Sequence, residues 1–149
     1  MSEPRPAESF VLFELSGSTW GVRSQLVQWV EMAGHVTAVP NAVPFVDGVT
    51  LTRGQVIPQI NLRVRFGFPR IPADLRTRML VVRSKDRTAG MLVDSAREFI
   101  SIPADAIQPP QETERAGTAD FSTRYLEGIA TLGNRIVLIL NVEQIIEGI

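Results

Sequence analysis

Short apolar segments, rich in Val and Ile and interrupted by Gly or Pro, recur along this chain at the spacing of small all-β domains. Ten of these segments predict strands, at residues 10–15, 19–22, 36–39, 46–50, 55–62, 79–83, 89–93, 98–102, 126–131 and 135–140. So many short strands indicate a barrel or a sandwich.

Other stretches predict helices and connections. Apolar residues fall at helical spacing over residues 24–30, behind a Ser cap, and again over residues 142–147. Both helices are short, so tertiary packing must hold them. Polar stretches with Gly and Pro predict connections at 67–77 and at 108–123, the second a long surface loop.

An internal repeat organises the chain. The run FVDGV at 45–49, a turn at 53–54 and INL at 60–62 are matched, in constant register, by YLEGI at 125–129, a turn at 133–134 and LNV at 140–142. Upstream, WGV at 20–22 with Val27 and Val30 is matched by AGM at 89–91 with Ala96 and Phe99. Each half holds about five strands, the size of a small barrel.

The repeat predicts two small barrels that share an interface. We expect a disordered tail over 1–9, a first barrel over about 10–68, a second over about 77–140 and a C-terminal helix over about 141–149. The groove between the barrels is a natural docking site, because binding sites concentrate at domain interfaces.

Charge and composition narrow the class of partner. The formal charge is −1, with 15 basic and 16 acidic residues, which provides no broad electrostatic footprint for nucleic acid or anionic lipid. Residues 1–9 contain no apolar run, so we expect no signal peptide, no membrane insertion and a cytoplasmic protein. The chain has no Cys, which excludes disulfides and thiolate chemistry.

The sequence lacks the usual equipment of an enzyme. His35 is the single His, and no motif around it indicates a hydrolytic triad. No spacing of ligands indicates a metal site, and the glycines are scattered singly instead of forming a phosphate-binding loop. We therefore predict no catalytic residues, no metal and no cofactor.

Three side chains have two interpretations each. Trp20 opens a strand, and we favour a place in the core. Trp29 lies at the edge of the apolar stripe of the first predicted helix, where it is either core filler or an interface residue. Arg53 occupies a hairpin turn with Gly54 and is either a solvated turn residue or part of a binding site.

The ordered set of motifs resembles the CheW family, whose members scaffold a histidine kinase of the CheA type onto chemoreceptors. The resemblance runs from Phe10 to about Ile146. It is carried by FxxFxL at 10–15, WGV at 20–22, VTxVP at 36–40, VxGV at 46–49, RGxVIP at 53–58, LRxRFG at 62–67, GMLVD at 90–94 and YLxGI at 125–129.

The resemblance implies two five-stranded SH3-like barrels and a non-catalytic adaptor. One barrel surface would pair with the regulatory domain of the kinase, other CheW-like proteins would be further partners, and tips of methyl-accepting receptors would dock in or near the groove. The implied receptor-contact residues are Val27, Trp29, Gly48 and Arg53, together with Gly54 of the turn.

Departures from the family pattern cluster in the first half. Trp29 stands where the family usually has a Glu placed to pair with Arg53, Arg23 stands where an acidic residue is common, and Asn61 replaces the usual Asp. The fold is expected to be unchanged and receptor choice to have changed. An alternative is a paralogue that binds the kinase or the array but not the standard receptor, and acts as a competitor or modulator.

Overall fold

The computed structural model describes residues 7–110, 124–147 and 149. Within them the chain forms eleven strands, two short α-helices and two 3-10 turns, Ser24–Leu26 and Ala104–Ala106. The strands are β1 Ala7–Leu15, β2 Ser18–Arg23, β3 Val27–Met32, β4 Val46–Thr52, β5 Gln55–Asn61, β6 Arg78–Ser84, β7 Arg87–Val93, β8 Ser95–Pro103, β9 Ile107–Gln108, β10 Leu126–Leu132 and β11 Arg135–Leu140. The helices are α1 Leu62–Arg65 and α2 Val142–Ile146.

Two mixed sheets contain all of these strands. The first, barrel A, has the order β8-β1-β2-β11-β10-β9, and the second, barrel B, has the order β3-β6-β7-β5-β4. Each contains one parallel pair, β2 with β11 in barrel A and β5 with β7 in barrel B, and its other pairs are antiparallel. The predicted all-β class is confirmed.

The barrels do not follow the predicted division of the chain near residues 68–77. Barrel A combines β1 and β2 with β8 to β11, and barrel B combines β3 to β5 with β6 and β7, so each half lends its first hairpin to the other. The connections explain this exchange. Only Asp94 separates β7 from β8, and one residue is too short to turn a strand back beside its predecessor. The chain therefore continues into the other barrel.

The internal repeat is reproduced in the strand registers. Trp29 of β3 pairs with Val81 of β6, and the repeat-equivalent Glu98 of β8 pairs with Leu12 of β1. Each of these pairings has a register shift at the same point, and so do the two hairpins β4–β5 and β10–β11. The two barrels are thus related position by position.

The helix predicted over residues 24–30 is wrong. A 3-10 turn covers Ser24–Leu26, and β3 begins at Val27, with side chains alternating between half-buried and exposed. The apolar residues there are compatible with either period, and pairing with β6 selects the strand because Val and Trp fit a pleated surface. The helix predicted over 142–147 is confirmed as α2.

Several boundaries differ from the prediction. The strand expected over 36–39 is reduced to one bridge between Thr37 and Val49, and Leu62 begins α1 instead of ending β5. Ala7 to Ser9, expected in a disordered tail, belong to β1 and pair with β8. The rest of that tail and residues 111–123 of the predicted surface loop lie outside the described residues.

Three apolar clusters form the core. The largest joins the barrels and contains Trp20, which is 2% exposed and stacks on Phe13 and Phe66. The predicted core position of Trp20 is therefore confirmed. A second cluster around Phe10 and Val137 fills barrel A. A third, formed by Ile57, Met79 and Val81, fills barrel B and has Trp29 packed against it.

Candidate functional site

Trp29 and Arg53 meet where barrel B closes. The guanidinium carbon of Arg53 lies 4.6 Å from the centroid of the Trp29 ring, which is a cation–π contact. Trp29 comes from edge strand β3, and Arg53 comes from the turn after edge strand β4. The contact therefore joins the two ends of the sheet order, and no sequence-local pattern brings the two residues together.

Glu31 completes this cluster. Because β3 is a strand, residues two positions apart share a face, and Glu31 lies on the same side as Trp29. Its Oε2 accepts hydrogen bonds from Nε1 of Trp29 at 3.1 Å and from Oγ1 of Thr52 at 2.7 Å. The strand geometry of β3 therefore places the Glu31 carboxylate within hydrogen-bonding distance of both side chains.

Trp29 is a half-buried residue rather than a free surface anchor. It covers the cluster of Ile57, Met79 and Val81 at the rim of barrel B. The interior of that barrel is more polar than its counterpart, since Thr50 and Gln59 occupy the positions that Ala130 and Ile139 hold in barrel A. A large side chain at position 29 supplies apolar area that the smaller cluster lacks.

The β4–β5 turn holds Arg53 at the protein surface. Arg53 has φ of 49° and Gly54 has φ of 77°, so both central residues of this two-residue hairpin loop adopt positive φ, as type I′ turns require. Such a conformation is uncommon for Arg and strains the backbone. Both residues are exposed, and the rigid turn fixes the origin of the Arg53 side chain.

The hairpin also exposes apolar side chains. Leu51 and Val56 face each other across β4 and β5 and are 73% and 67% exposed. Their strand neighbours Thr52 and Ile57 point inward and are buried. This pair was not predicted from sequence, although the period of two along both strands of the hairpin places Leu51 and Val56 on its outer face.

The other two predicted contact residues lie apart from Arg53. Gly48 lies five residues earlier on β4, about 16 Å along an extended strand. Val27 begins β3, where it packs against the shared core. The structure thus joins Trp29, Arg53 and Gly54 at one end of the hairpin and leaves Val27 and Gly48 elsewhere on barrel B.

The backbone at position 48 requires glycine. Its φ is +146°, it lies at the register shift between β4 and β5, and a Cβ there would lie 2.7 Å from the carbonyl carbon of Thr37. Thr37 and Val49 exchange two backbone hydrogen bonds, of 2.9 and 2.8 Å, at this point. The glycine permits the close approach that closes barrel B.

At the corresponding end of barrel A, an ion pair joins β8 and β11. Arg135, at the start of β11, donates from Nη1 and Nη2 to the two carboxylate oxygens of Glu98 on β8, at 3.0 and 2.5 Å. These hydrogen bonds lower the pKa of Glu98 and raise the pKa of Arg135. The hairpin end of barrel A is therefore held by an ion pair, and that of barrel B by a cation–π contact.

Other ion pairs reinforce the crossovers between the barrels. Arg23, at the end of β2, hydrogen-bonds Glu127 of β10 through Nε at 3.1 Å and also pairs with Glu8 of β1. Arg63 and Asp94 do the same at the passage from β7 to β8. The departure at position 23 from the usual acidic residue is accommodated by two carboxylates of this chain.

A cavity of about 530 Å³ opens beside the second crossover, lined in part by Leu12, Glu14, Arg76 and Asp94. The five predicted receptor-contact residues are not among its lining residues. The shared apolar cluster packs between the barrels. The predicted contact residues therefore lie away from this cavity.

His35 is exposed, and its backbone carbonyl accepts a hydrogen bond from Thr50 Oγ1 at 3.1 Å. In the described part of the chain, no group of three or more His, Asp and Glu side chains could hold a metal ion. No helix there is long and apolar enough to span a membrane.

Comparison with known proteins gives one family. The family model of the CheW-like domain matches residues 9–149. The chain is similar to the chemotaxis protein CheW of Klebsiella aerogenes, with 30% identity over 139 residues that cover 93% of this chain and 81% of that protein. It is also similar to the chemotaxis protein CheW of Helicobacter pylori, with 37% identity over 82% of this chain and 70% of that protein.

A solved structure extends the likeness to the whole fold. The scaffolding protein TtCheW from Thermoanaerobacter tengcongensis superposes with a TM-score of 0.81 at 27% identity, over 91% of this chain and 90% of that protein. The predicted architecture of two SH3-like barrels is confirmed by this likeness together with the strand order.

Proposed function

We propose that this chain, which belongs to the family of CheW-like domains, is a non-catalytic adaptor that couples chemoreceptors to a CheA-type histidine kinase. The observation that carries the proposal is the match of family model, relatives and solved structure over nearly the entire chain. The relatives are named as chemotaxis and scaffolding proteins, and the proposal assigns this chain no reaction.

The proposed coupling involves two partners. One is the regulatory domain of the kinase, and the other is the cytoplasmic tip of a methyl-accepting receptor. Other CheW-like proteins are proposed as further partners within an array, and the proposed place of action is the cytoplasm beside the receptors. The competitor role is not favoured, because the relatives that match most of the chain are themselves CheW proteins.

For the receptor site we propose the end of the β4–β5 hairpin with Trp29, Arg53 and Gly54 as contacts, and Val27 and Gly48 as further contacts elsewhere on barrel B. The exposed turn and the exposed pair Leu51 and Val56 support this choice. A small patch of this kind fits the modest area of a transient signalling interface.

Co-sedimentation tests the adaptor role directly. Receptor-containing membranes, the kinase and the purified chain are mixed, and we expect the kinase to sediment with the membranes only when the chain is present. The matched control omits the receptor from the membranes. Binding of the chain to the isolated kinase regulatory domain is measured in parallel, with a Kd below about 100 μM expected for a transient interface. Failure of both measurements would exclude the adaptor role.

A further inference from the structure

Leu75 is the most exposed of the large apolar side chains that the structure describes, at 82%. It lies between α1 and β6, in a turn that hydrogen bonds hold in place. The backbone N–H of Arg76 donates to Oδ1 of Asp74 at 2.7 Å, and the backbone N–H of Asp74 donates to Oγ1 of Thr77 at 2.9 Å. Because Thr77 is buried, the turn is anchored to the protein while Leu75 stays in solvent.

The turn carries opposite charges on the two sides of Leu75. Asp74 precedes it and Arg76 follows it, and both of these side chains are more than half exposed. Their mutual ion pair is long, at 3.4 Å, and an exposed pair of this kind contributes little to stability. Both charges can therefore turn to a partner at little cost in free energy. The turn presents a carboxylate, an apolar side chain and a guanidinium in that order.

The cavity of about 530 Å³ beside this turn offers the complementary groups. The buried residues Leu12 and Phe13 of β1 line it, together with Glu14 of β1 and Arg97 of β8. In the part of the chain that the structure describes, neither Glu14 nor Arg97 forms an ion pair. The cavity thus combines an apolar floor with one carboxylate and one guanidinium that have no ionic partner there.

The other carboxylates of the cavity are engaged within the chain. Asp94 accepts hydrogen bonds from Arg63 at 2.8 and 2.7 Å, and Glu98 is paired with the arginine that begins β11. The two unpaired lining charges are therefore the ones available to a partner. Arg76 also lines the cavity, so the turn and the cavity lie side by side on one surface.

A turn and a cavity that complement each other on one surface fit a two-fold contact between identical chains. In such an interface the same patch serves both copies, so each turn can enter the cavity of the other copy. Pockets of about 300–1,000 Å³ hold drug-sized ligands, so this cavity has room for a leucine side chain. A second copy is the favoured occupant because this chain itself supplies both the apolar groups and the matching charges.

We propose that two copies of this chain form a two-fold dimer in which Leu75 of each copy enters the cavity of the other. Arg76 of one copy then faces Glu14 of the other. Asp74 faces Arg97 in the same way. This contact goes beyond the proposed adaptor role, because coupling one receptor to one kinase requires a single copy. The contact area is small, which gives a weak dimer with a Kd of about 100 μM.

Sedimentation equilibrium of the full-length chain between about 10 μM and about 1 mM measures this dimer. We expect a monomer–dimer equilibrium with no larger species, since a two-fold contact occupies the patch of both copies. Leu75→Glu should raise the Kd at least about tenfold, because it places a charge against the apolar floor. Leu51→Glu is the matched control. It replaces a leucine of similar exposure, 73%, away from this cavity and should change the Kd less than about twofold.

Charge exchange tests the pairing of the two copies. Arg76→Glu and Glu14→Arg each bring like charges together twice in a dimer of identical chains, so each variant alone should dimerise at least about tenfold more weakly. A one-to-one mixture of the two variants restores both pairs, and we expect a mixed dimer with a Kd within about threefold of that of the unmodified chain. Circular dichroism confirms folding. Leu75→Glu and Arg76→Glu lie in an exposed turn and remain informative if Glu14→Arg disturbs β1.

The outcomes separate this inference from the adaptor role. A chain that stays monomeric up to about 1 mM overturns the dimer, and so does a dimer that Leu75→Glu leaves intact. A monomeric chain whose Leu75→Glu variant loses binding to the kinase or the receptor would assign the turn to that protein and would also overturn it. Kinase and receptor binding of the unmodified chain are measured on the same preparation, so failure of the adaptor role is detected independently.

Discussion

Arg63 and Asp94 form a bidentate ion pair where the chain passes from β7 of barrel B to β8 of barrel A. Nε of Arg63 donates to Oδ1 of Asp94 at 2.8 Å, and Nη2 donates to Oδ2 at 2.7 Å. The backbone N–H of Ser16 adds a third hydrogen bond at 2.9 Å. The pair thus joins α1, the β1–β2 turn and the passage from β7 to β8.

Replacing Asp94 should make the free energy of unfolding less dependent on pH below about pH 4. Burial raises the pKa of this carboxyl, but the hydrogen bonds from Arg63 and Ser16 outweigh burial, so its pKa is lowered overall. A lowered folded-state pKa contributes stability above the ordinary Asp value of about 3.9 and loses it as the pH falls through the folded-state pKa.

We therefore expect Asp94→Asn to reduce the free energy of unfolding by about 1–3 kcal/mol at pH 7 and by less at pH 3, measured by urea denaturation. Asp86→Asn in the exposed β6–β7 turn is the control and should change little at either pH. A loss of equal size at both pH values would contradict this assignment.

Gly48→Ala should destabilise the chain more than a glycine replacement in an open turn. The new Cβ would collide with the Thr37 carbonyl, and a residue at φ +146° adds backbone strain. We expect a loss of more than about 2 kcal/mol in thermal or chemical unfolding. Gly17→Ala, at φ +84° with no atom within 4 Å, should cost only about 1 kcal/mol. Equal losses would show that the Thr37 contact has no special effect.

The two helix caps should respond differently to the same substitution. Asn61 accepts a hydrogen bond from Val64 N and Asn141 accepts one from Gln144 N, each at 3.2 Å, and Asp caps as well as Asn does. Asn61 also has a carboxylate beside it, since its Nδ2 lies 3.5 Å from Asp47 Oδ2, whereas among the described residues Asn141 has no hydrogen bond to a carboxylate. We expect Asn141→Asp to be neutral within about 0.5 kcal/mol and Asn61→Asp to lose about 1 kcal/mol or more at pH 7. Equal effects of both substitutions on the urea midpoint would be inconsistent with this difference.

Arg65 should stabilise the C-terminal helix α2 against local unfolding. Its Nη2 donates to the carbonyls of Gln144 and Glu147, each at 3.1 Å, and its guanidinium lies 4.1 Å from the Phe45 ring centroid. We expect Arg65→Met to speed hydrogen exchange of the α2 amides by about tenfold, since a hydrogen-bonded charge contributes about 1.5–3 kcal/mol.

The control for this prediction is Lys85→Met. Lys85 pairs with Glu143 of the same helix at 2.9 Å, but both side chains are exposed, and exposed ion pairs contribute little. Exchange in α2 should therefore change by less than about threefold. Equal exchange rates in both variants would remove Arg65 from this role.

Part of the candidate site was accessible from sequence. Arg53 and Gly54 are named by their turn, and Trp29 is named by the family resemblance. The contact between Trp29 and Arg53 was not predictable, because β3 and β4 are the two edges of one sheet order and meet only when the barrel closes. The prediction of a helix over 24–30 also concealed that Trp29 and Glu31 share a face.

Most of the strand positions, the hairpin turns and the equivalence of the two halves were determined by sequence alone, because alternation, turn chemistry and repeat spacing are local properties. Strand β3 was not, since its apolar residues also fit a helix. Tertiary structure decided that hairpin β1–β2 joins barrel A and hairpin β6–β7 joins barrel B. The two copies resemble each other too closely for a local pattern to distinguish them, and the one-residue connection at Asp94 together with the shared core selects the exchanged arrangement. The same closure gives Arg135 a carboxylate of its own chain and gives Arg53 an aromatic ring.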